Sequence, residues 1–233
     1  MEDEGQTWEQ TPNARDPENL VEMAGRLCYM SFGARQFRKP NAVYLANLIE
    51  QGHESVLEHA SWSFILTGVS RAFTHQMVRH RIGFSFSQLS QQYHEETAAQ
   101  FIEPSAIAAL QSLSEIWHKS VLNSRDAYVA LLRALEDEPI GIPAEQKREI
   151  QRAVRTAARS VLPNATETKM LFTANARAIR SFLEIRGSIE GDEEMRLVSA
   201  LLLERMQEEA RALFDDFVID HLPNGSPIVR RVR

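Results

Sequence analysis

The chain has 233 residues, 43% of them hydrophobic and 25% charged, which is enough to bury a core in one domain. Its 26 basic and 32 acidic residues give a net charge of −6, which argues against nucleic-acid binding through overall charge. The single cysteine, Cys28, excludes an intrachain disulfide framework and fits a reducing compartment. No apolar run reaches the roughly 18 residues of a membrane span, and the acidic start lacks a signal-peptide core. We expect one cytoplasmic domain over 1–233, with a loose segment over 1–15.

Two helices are predicted in the first fifty residues. Asp16-Pro17-Glu18 is a typical helix start, so the first helix is expected over 17–30. Apolar residues at helical spacing define its expected buried side, namely Leu20, Met23, Ala24, Leu27 and Cys28. The second helix is expected from about Pro40 to Gly52.

Two strands and a capped helix follow. Residues 61–67 are rich in aromatic and branched side chains, which favours a strand. Ser70 is expected to cap a helix whose last turn carries Gln76, Arg79 and His80. Polar and apolar residues alternate over 84–87, which predicts a second strand.

The rest of the chain is predicted to be mainly helical. Helices are expected over 104–136 and up to about residue 161, with a Pro- and Gly-containing loop over 137–143 between them. A third strand is expected over 166–174, and Gly191-Asp192 opens a long C-terminal helix. Its apolar stripe faces the core or another subunit and comprises Met206, Ala210, Leu213 and Phe217. A few strands among many helices predict an α+β fold.

Residues 79–81, Arg-His-Arg, place three potential cationic donors on consecutive positions, and Ser85, Ser87 and Ser90 add hydroxyl groups. Such a set suits a phosphate or diphosphate, because guanidinium groups bind phosphate oxygens through paired hydrogen bonds. The alternative is a helix C-terminus whose cations compensate the helix dipole.

The segment 79–93, RHRIGFSFSQLSQQY, resembles the signature of the flavin-dependent thymidylate synthases. In that family RHR is followed after two residues by Ser, after four more by a second Ser, and after one more by Arg. Further similarities recur in family order over about residues 17–220. They are Gly52-His53-Glu54-Ser55, Glu58-His59, Ala158-Arg159, Leu162-Pro163, Asn175-Ala176-Arg177 and Phe182-Leu183 through Arg186.

The resemblance implies one set of flavin contacts and one set of nucleotide contacts. The flavin set comprises His53, Ser55, Arg79, His80, Arg81, Ser87, Asn175, Arg177 and Ser181. The nucleotide set comprises Gln76, Arg79, Gln88, Ser90, Gln91, Gln92, Arg159 and Arg186. Ser90 beside the pyrimidine and Arg186, which helps to ionise the uracil ring, are the expected catalytic residues. A fixed cation beside an imide favours the imide anion and makes C5 a better nucleophile.

The resemblance also implies a small, mostly antiparallel sheet with long helices, FAD as cofactor, and a homotetramer with active sites at subunit interfaces. The implied reaction methylates C5 of a uridylate with carbon from methylenetetrahydrofolate and a hydride from reduced FAD, which NADPH regenerates. No protein cysteine takes part in it. This agrees with Cys28, which is expected to be a core residue because it lies at an apolar helical position.

The sequence departs from the family pattern in the second half of the signature. Three residues, 82–84, stand where the pattern has two, and Gly83 is expected to absorb the insertion. Gln92 replaces the arginine that holds the nucleotide, and Gln88 occupies a position that is acidic in some members. Exchanging a charged contact for a neutral one costs on the order of 1 kcal/mol.

A third departure concerns the adenosine end of the flavin, where Ser181 and Glu190 stand in place of an amide or histidine. Changes around the ribose and phosphate, with the base site retained, lead to the hypothesis that the protein accepts UMP in addition to dUMP or in its place. The resemblance includes a branch that methylates UMP in nucleoside antibiotic synthesis. The alternatives are an ordinary dUMP-specific thymidylate synthase and a non-catalytic nucleotide-binding relative.

Other interpretations of the motifs are less favoured. His53 and His59 are six residues apart and do not share one helical face, so no metal site is expected. Four arginines on the helix before residue 161 have glutamates within pairing distance, so most of them are expected to form a solvated face, with only Arg159 functional. They are Arg148, Arg152, Arg155 and Arg159. An RNA or DNA binder is disfavoured by the acidic charge, and no glycine-rich dinucleotide motif is present.

Overall fold

The computed structural model describes residues 7–36, 40–136, 138 and 141–232. The chain forms two compact units. The first comprises Met1–Phe64, His80–Ser85 and Thr173–Arg233, and the second comprises Ile65–Arg79 and Phe86–Phe172. Much of the loop predicted over 137–143, and the first six residues of the segment predicted over 1–15, lie outside the described residues.

The α+β prediction is confirmed, with small antiparallel sheets among dominant helices. The α-helices are α1 Asp16–Cys28, α2 Asn41–Glu50, α3 Arg71–Met77, α4 Ser105–Ala108, α5 Gln111–Glu136, α6 Lys147–Ala158, α7 Ala176–Arg186 and α8 Glu193–Ala210. The strands are β1 Ser61–Ser70, β2 Phe84–Gln88, β3 Glu167–Asn175, β4 Phe217–His221 and β5 Pro227–Arg231. Strand β3 is central in the order β1-β3-β2, and β4 pairs with β5 antiparallel. In the described part of the chain, no helix has both the length and the apolar character needed to cross a membrane.

Helix α3 begins as the sequence predicts but ends earlier. The Ser70 hydroxyl accepts a hydrogen bond from the Phe73 backbone N–H at 3.0 Å, which confirms the predicted cap. The helix ends at Met77, so the prediction that Arg79 and His80 occupy its last turn is wrong. These two side chains lie on the segment that joins α3 to β2.

Helix α1 buries a different side from the predicted one. Leu27 is 55% exposed and Cys28 is also exposed, whereas Glu22 and Arg26 are buried. The buried pair joins at 2.7 Å, and the Asn41 side-chain amide donates to Glu22 at 2.6 Å. Paired and hydrogen-bonded charges can be buried, which a pattern of apolar spacing does not detect. The expectation that Cys28 is a core residue is therefore wrong.

The C-terminal helix is shorter than predicted. Helix α8 ends at Ala210, and the chain continues through a short 3-10 helix to the hairpin of β4 and β5, which the sequence pattern did not predict. Leu213 and Phe217 are buried like Met206, but they lie beyond the helix. The stripe therefore faces the core, although helical spacing does not extend along all of it.

Arginine and aspartate form the buried ionic centre of the first unit. Arg180 and Asp216 are 3% and 8% exposed, and both terminal nitrogens of Arg180 donate to the two Asp216 oxygens at 2.6 Å. Arg180 also donates to the Leu213 carbonyl at 2.6 Å, and Arg231 donates to Asp216 at 2.9 Å. Paired hydrogen bonds of this kind fix direction as well as distance, so Arg180 fixes the middle of α7 against the start of β4.

The same contacts determine the protonation of Asp216. Burial alone raises the pKa of this carboxyl group, but hydrogen bonds and charges from Arg180 and Arg231 outweigh it and lower the pKa below its ordinary value. Asp216 therefore remains ionised at neutral pH and contributes stability there.

The second unit has an apolar centre between α5 and α6. Tyr128 and Leu132 of α5 pack with Val154 and Ala158 of α6. The Tyr128 hydroxyl accepts a hydrogen bond from the Glu96 backbone N–H at 3.2 Å, so its polar end is satisfied inside the unit.

Replacing Asp216 with asparagine should destabilise the fold by about 3–5 kcal/mol at neutral pH, because Arg180 would remain buried without its counter-charge. The folded-state pKa of Asp216 is lowered, so its contribution is present at neutral pH and is lost as pH falls through that pKa. Urea unfolding of the wild type and of Asp216→Asn should be measured at a series of pH values. The difference between their free energies of unfolding should narrow below about pH 4.

The matched control is Asp215→Asn, since Asp215 pairs with Arg211 at 3.2 Å on the surface. An exposed pair contributes at most about 1 kcal/mol. If the Asp215 and Asp216 variants lose the same free energy of unfolding, the role assigned to the buried pair is contradicted.

Candidate functional site

The predicted site residues are divided between the two units. The first unit contains His53, Ser55, His80, Arg81, Asn175, Arg177, Ser181 and Arg186. The second contains Gln76, Arg79, Ser87, Gln88, Ser90, Gln91, Gln92 and Arg159. Most predicted flavin contacts therefore fold in the first unit, and most predicted nucleotide contacts fold in the second.

Asn175 and Gly83 form a close backbone crossing at the start of α7. The Asn175 side-chain oxygen caps the helix by accepting from the Ala178 N–H at 2.9 Å, and its backbone N–H donates to the Gly83 carbonyl at 3.2 Å. Gly83 has φ +73°, and a Cβ there would lie 2.8 Å from the Asn175 amide nitrogen and from the Ala178 Cβ. Only glycine adopts this conformation at such a distance without strain, whereas the absorption of the extra loop residue by Gly83 stays a prediction.

Arg177 lies two residues after the Asn175 cap and pairs with two carboxylates. Its guanidinium donates to Glu58 at 2.7 Å and lies 3.6 Å from Glu54. The hydrogen bond to Glu58, followed by the charges of both glutamates, raises the pKa of Arg177. The spacing of the two glutamates, one helical turn apart, is the sequence signal that could have identified them as partners of one cation.

His80 and Arg186 are in direct contact in the first unit. The Arg186 Nε atom donates to the His80 Nε2 atom at 2.9 Å. The His80 ring packs edge-on against Phe182 at 5.2 Å between centroids and lies 6.1 Å from Phe84. Burial, and then the charge of Arg186, lower the pKa of His80. The structure thus joins a predicted flavin contact to a predicted catalytic residue.

The remaining predicted residues of the first unit are exposed polar groups. His53 precedes the short 3-10 helix Glu54–His59, and its ring stacks on Tyr29 with centroids 6.5 Å apart. The other exposed side chains of this group are Ser55, Arg81 and Ser181. Each is accessible to a ligand.

In the second unit, Arg71 anchors the segment that follows β2, a role the sequence did not suggest. One terminal nitrogen of Arg71 donates to the Leu89 carbonyl at 3.0 Å, and Leu89 donates from its backbone to the Lys169 carbonyl at 2.9 Å. Burial lowers the pKa of Arg71; the charge of Glu96 raises it and that of Arg159 lowers it. The segment carrying the predicted nucleotide contacts is therefore tied to α3 and β3.

The side chains of that segment differ in how they are engaged. The Gln88 amide donates to Thr74 at 2.9 Å and to Thr168 at 3.3 Å. The Ser90 hydroxyl accepts from the Gln92 backbone N–H at 3.3 Å. Gln91 is 6% exposed, and its amide nitrogen has no hydrogen-bond partner among the described residues. An unpaired buried amide nitrogen is costly unless a further group satisfies it.

Gln92 contacts an arginine that the sequence prediction assigned to a solvated face. Arg152 of α6 donates from Nε to the Gln92 side-chain oxygen at 3.2 Å and lies 5.8 Å from the centre of the Tyr93 ring. Arg152 also lies 3.7 Å from Glu149, and Arg155 pairs with Glu95 at 2.8 Å. The sequence contained no signal for the contact between Arg152 and Gln92, because these two residues are far apart along the chain. It therefore singled out only Arg159 among the four arginines.

Two further predicted residues of the second unit are exposed, and two are half-buried. Arg79 and Ser87 are exposed, and Gln76 of α3 and Arg159 after α6 are half-buried. Searched over the described residues, the chain contains no group of three or more His, Cys, Asp or Glu side chains able to hold a metal ion.

Comparison with known proteins agrees with the resemblance of the 79–93 segment. The profile of the family described as thymidylate synthase complementing protein matches residues 10–210. A protein of Mycobacterium sp. (strain JLS), named flavin-dependent thymidylate synthase, is 44% identical over 212 residues, covering 90% of this chain and 83% of the relative. Relatives with that name from Corynebacterium efficiens and Mycobacterium avium (strain 104) are 41% and 42% identical, covering 92% and 90% of this chain and 85% and 83% of their own lengths. The chain therefore belongs to the thymidylate synthase complementing protein family.

Proposed function

We propose that this protein is a flavin-dependent methylase that acts on C5 of a uridylate. The observation that carries the proposal is Arg186, a half-buried guanidinium whose direction is fixed at the end of α7, in a chain whose relatives are named flavin-dependent thymidylate synthases. A guanidinium held beside the uracil imide favours the imide anion and raises electron density at C5.

The donor set of the first unit fits FAD. Arg81 and Arg177 are exposed cations, and Ser55 and Ser181 are exposed hydroxyl donors, which together match the oxygens of a dinucleotide diphosphate and ribose. At Gly83, the positive φ and the absent Cβ allow close approach of backbone to the Asn175 amide. When bound, FAD in its reduced form supplies the hydride that completes a methyl group from the carbon of methylenetetrahydrofolate. In this proposal NADPH reduces the flavin.

The second unit supplies the groups for the nucleotide. Helix α6 and the residue after it, 147–159, carry five basic side chains and one acidic side chain in a protein of net charge −6. Arg159 and Arg152 are the members that we assign to the anionic part of the uridylate, beside the serine and glutamines of 88–92. Since Gln92 is neutral and takes its contact from Arg152, we assign UMP as a substrate alongside dUMP, as in methylation of UMP for antibiotic synthesis.

Exposed apolar surface in the first unit supports assembly of the chain, which we propose to be a homotetramer. On α1 and just after it, Leu27, Tyr29 and Met30 are exposed, and on α8 Leu197 and Leu201 are exposed. Apolar surface of this kind is typical of subunit contacts. FAD would then be held at an interface, consistent with a chain that lacks a glycine-rich dinucleotide motif.

Purified protein loaded with FAD should be yellow and should lose its flavin absorbance when NADPH is added under anaerobic conditions. Addition of a uridylate should change the rate of bleaching, because the reduced flavin and the uridylate react together in the proposed reaction. The measurement is stopped-flow absorbance at the flavin band. Protein that binds a uridylate but neither retains FAD nor responds to NADPH would instead indicate the non-catalytic relative.

Replacing Cys28 with alanine should leave turnover unchanged within about twofold, because no protein thiol takes part in the proposed reaction. This variant is informative because Cys28 is exposed and therefore accessible to a substrate. Complete loss of turnover in a folded, flavin-loaded Cys28→Ala protein would indicate a cysteine nucleophile and contradict the proposal.

Replacing Arg152 with glutamine should weaken uridylate binding by about tenfold, because one charge-assisted contact with the anionic group is lost. Calorimetric titration with the uridylate and with uridine distinguishes phosphate contacts from base contacts. Uridine affinity should not change, and Arg148→Gln, an exposed arginine one turn earlier on α6, is the matched control. Equal weakening for uridine, or no weakening for the uridylate, would remove Arg152 from the site.

A further inference from the structure

The hydrogen bond between Arg186 and His80 determines which atom of the imidazole carries a proton. The Arg186 Nε–H donates to His80 Nε2 at 2.9 Å. A guanidinium has only donors, so Nε2 must present its lone pair, and the single proton of the neutral ring must lie on Nδ1. The geometry therefore requires one tautomer and one charge state of His80.

Two aromatic side chains hold the ring in this orientation. Phe182, which lies one turn before Arg186 on α7, is fully buried and meets the His80 ring at 73° with 5.2 Å between centroids. Phe84, the first residue of β2, contacts the same ring from 6.1 Å and also lies 6.2 Å from Phe182. The imidazole therefore has little freedom to turn away from the guanidinium.

The electrostatic surroundings of His80 favour the neutral form. Burial and the charge of Arg186 both lower its pKa. Phe84 and Phe182 bring no charge to the ring, and its chain neighbours Arg79 and Arg81 are exposed to solvent. The ring is thus kept as an acceptor at neutral pH, which is the state that the contact with Arg186 needs.

We propose that His80 is a positioning residue for Arg186. Neutral His80 holds the Arg186 guanidinium in one direction through Nε2, and protonation of His80 removes the acceptor and releases the arginine. The consequence for turnover rests on the proposed function, in which Arg186 acts on the uracil imide. The structural part, a neutral Nδ1–H tautomer coupled to the charge of Arg186, does not depend on that function.

The structural part is tested on the ligand-free protein by ¹⁵N-edited NMR of the histidine rings during a pH titration. His80 is assigned by the signal that disappears in His80→Gln. We expect the Nδ1–H tautomer at neutral pH and a pKa below that of an exposed histidine. In Arg186→Gln the pKa of His80 should rise, because one of the two causes of its lowering is gone.

Arg177→Gln is the control, since Arg177 lies on the same helix but pairs with Glu58. It should leave the His80 titration unchanged. A proton on Nε2 in the wild-type protein, or a His80 pKa that is the same in Arg186→Gln and in the wild type, overturns the proposal. The wild-type spectrum alone decides the tautomer, so this result is obtained even if a variant fails to fold.

The consequence for turnover is tested by comparing His80→Gln with His80→Leu at saturating uridylate and FAD. Bound flavin is measured by absorbance in both variants. The glutamine oxygen can accept from Arg186 and does not titrate, whereas leucine offers no acceptor. We expect turnover at least about tenfold higher in the glutamine variant than in the leucine variant, the range expected for one hydrogen bond to a charged group. The acid limb of the wild-type pH profile should be absent in His80→Gln.

The two possible failures can be distinguished. Equal turnover in the two variants, with equal flavin content, overturns the positioning role. A wild-type protein with the expected tautomer and coupling but no methylation of any uridylate leaves the His80–Arg186 contact in place and overturns the proposed function instead.

Discussion

The buried pair of Arg180 with Asp216 is the interaction on which the first unit depends. Arg180 lies in the middle of α7, and its bidentate contact with Asp216 fixes that helix to the start of β4. The two ends of α7 carry residues of the proposed site, with the Asn175 cap at one end and Arg186 at the other. Because a helix is stiff over eleven residues, fixing its centre also sets the positions of both ends. The Arg180–Asp216 pair thus helps to determine where the Arg186 guanidinium lies.

Charge is distributed unevenly in a chain that is acidic overall. In the first unit several arginines have carboxylate partners, as when Arg177 meets Glu58 and Arg180 meets Asp216. Helix α6 of the second unit and the residue after it carry five basic side chains and one acidic side chain, although Arg152 lies 3.7 Å from Glu149 as well as contacting Gln92, and Arg155 pairs with Glu95. A local excess of basic side chains attracts an anionic substrate, and this excess is the basis for proposing that the nucleotide binds to the second unit.

The sequence predicted local features best where a residue type has a well-defined conformational role, such as a helix cap or a positive φ. The predicted helix cap at Ser70 is confirmed, and Gly83, predicted to accommodate the longer loop, has the positive φ that favours glycine. Prediction from the sequence failed where burial depends on distant partners. Glu22 and Arg26 are buried as an ion pair, and Asn41 from another helix donates to Glu22, so the apolar pattern of α1 predicted the wrong face. The contact of Arg152 with Gln92 was missed for the same reason, since it joins residues sixty positions apart.

The central claim is that the protein replaces the C5 proton of a uridylate with a methyl group by flavin chemistry. Release of tritium into water from C5-tritiated UMP and from C5-tritiated dUMP, measured separately with FAD, NADPH and methylenetetrahydrofolate, tests it most directly. The account predicts release from UMP as well as dUMP, and none when the flavin or the folate is omitted. Release from dUMP alone would contradict the assignment of UMP, and release from neither nucleotide by folded, flavin-loaded protein would contradict the central claim.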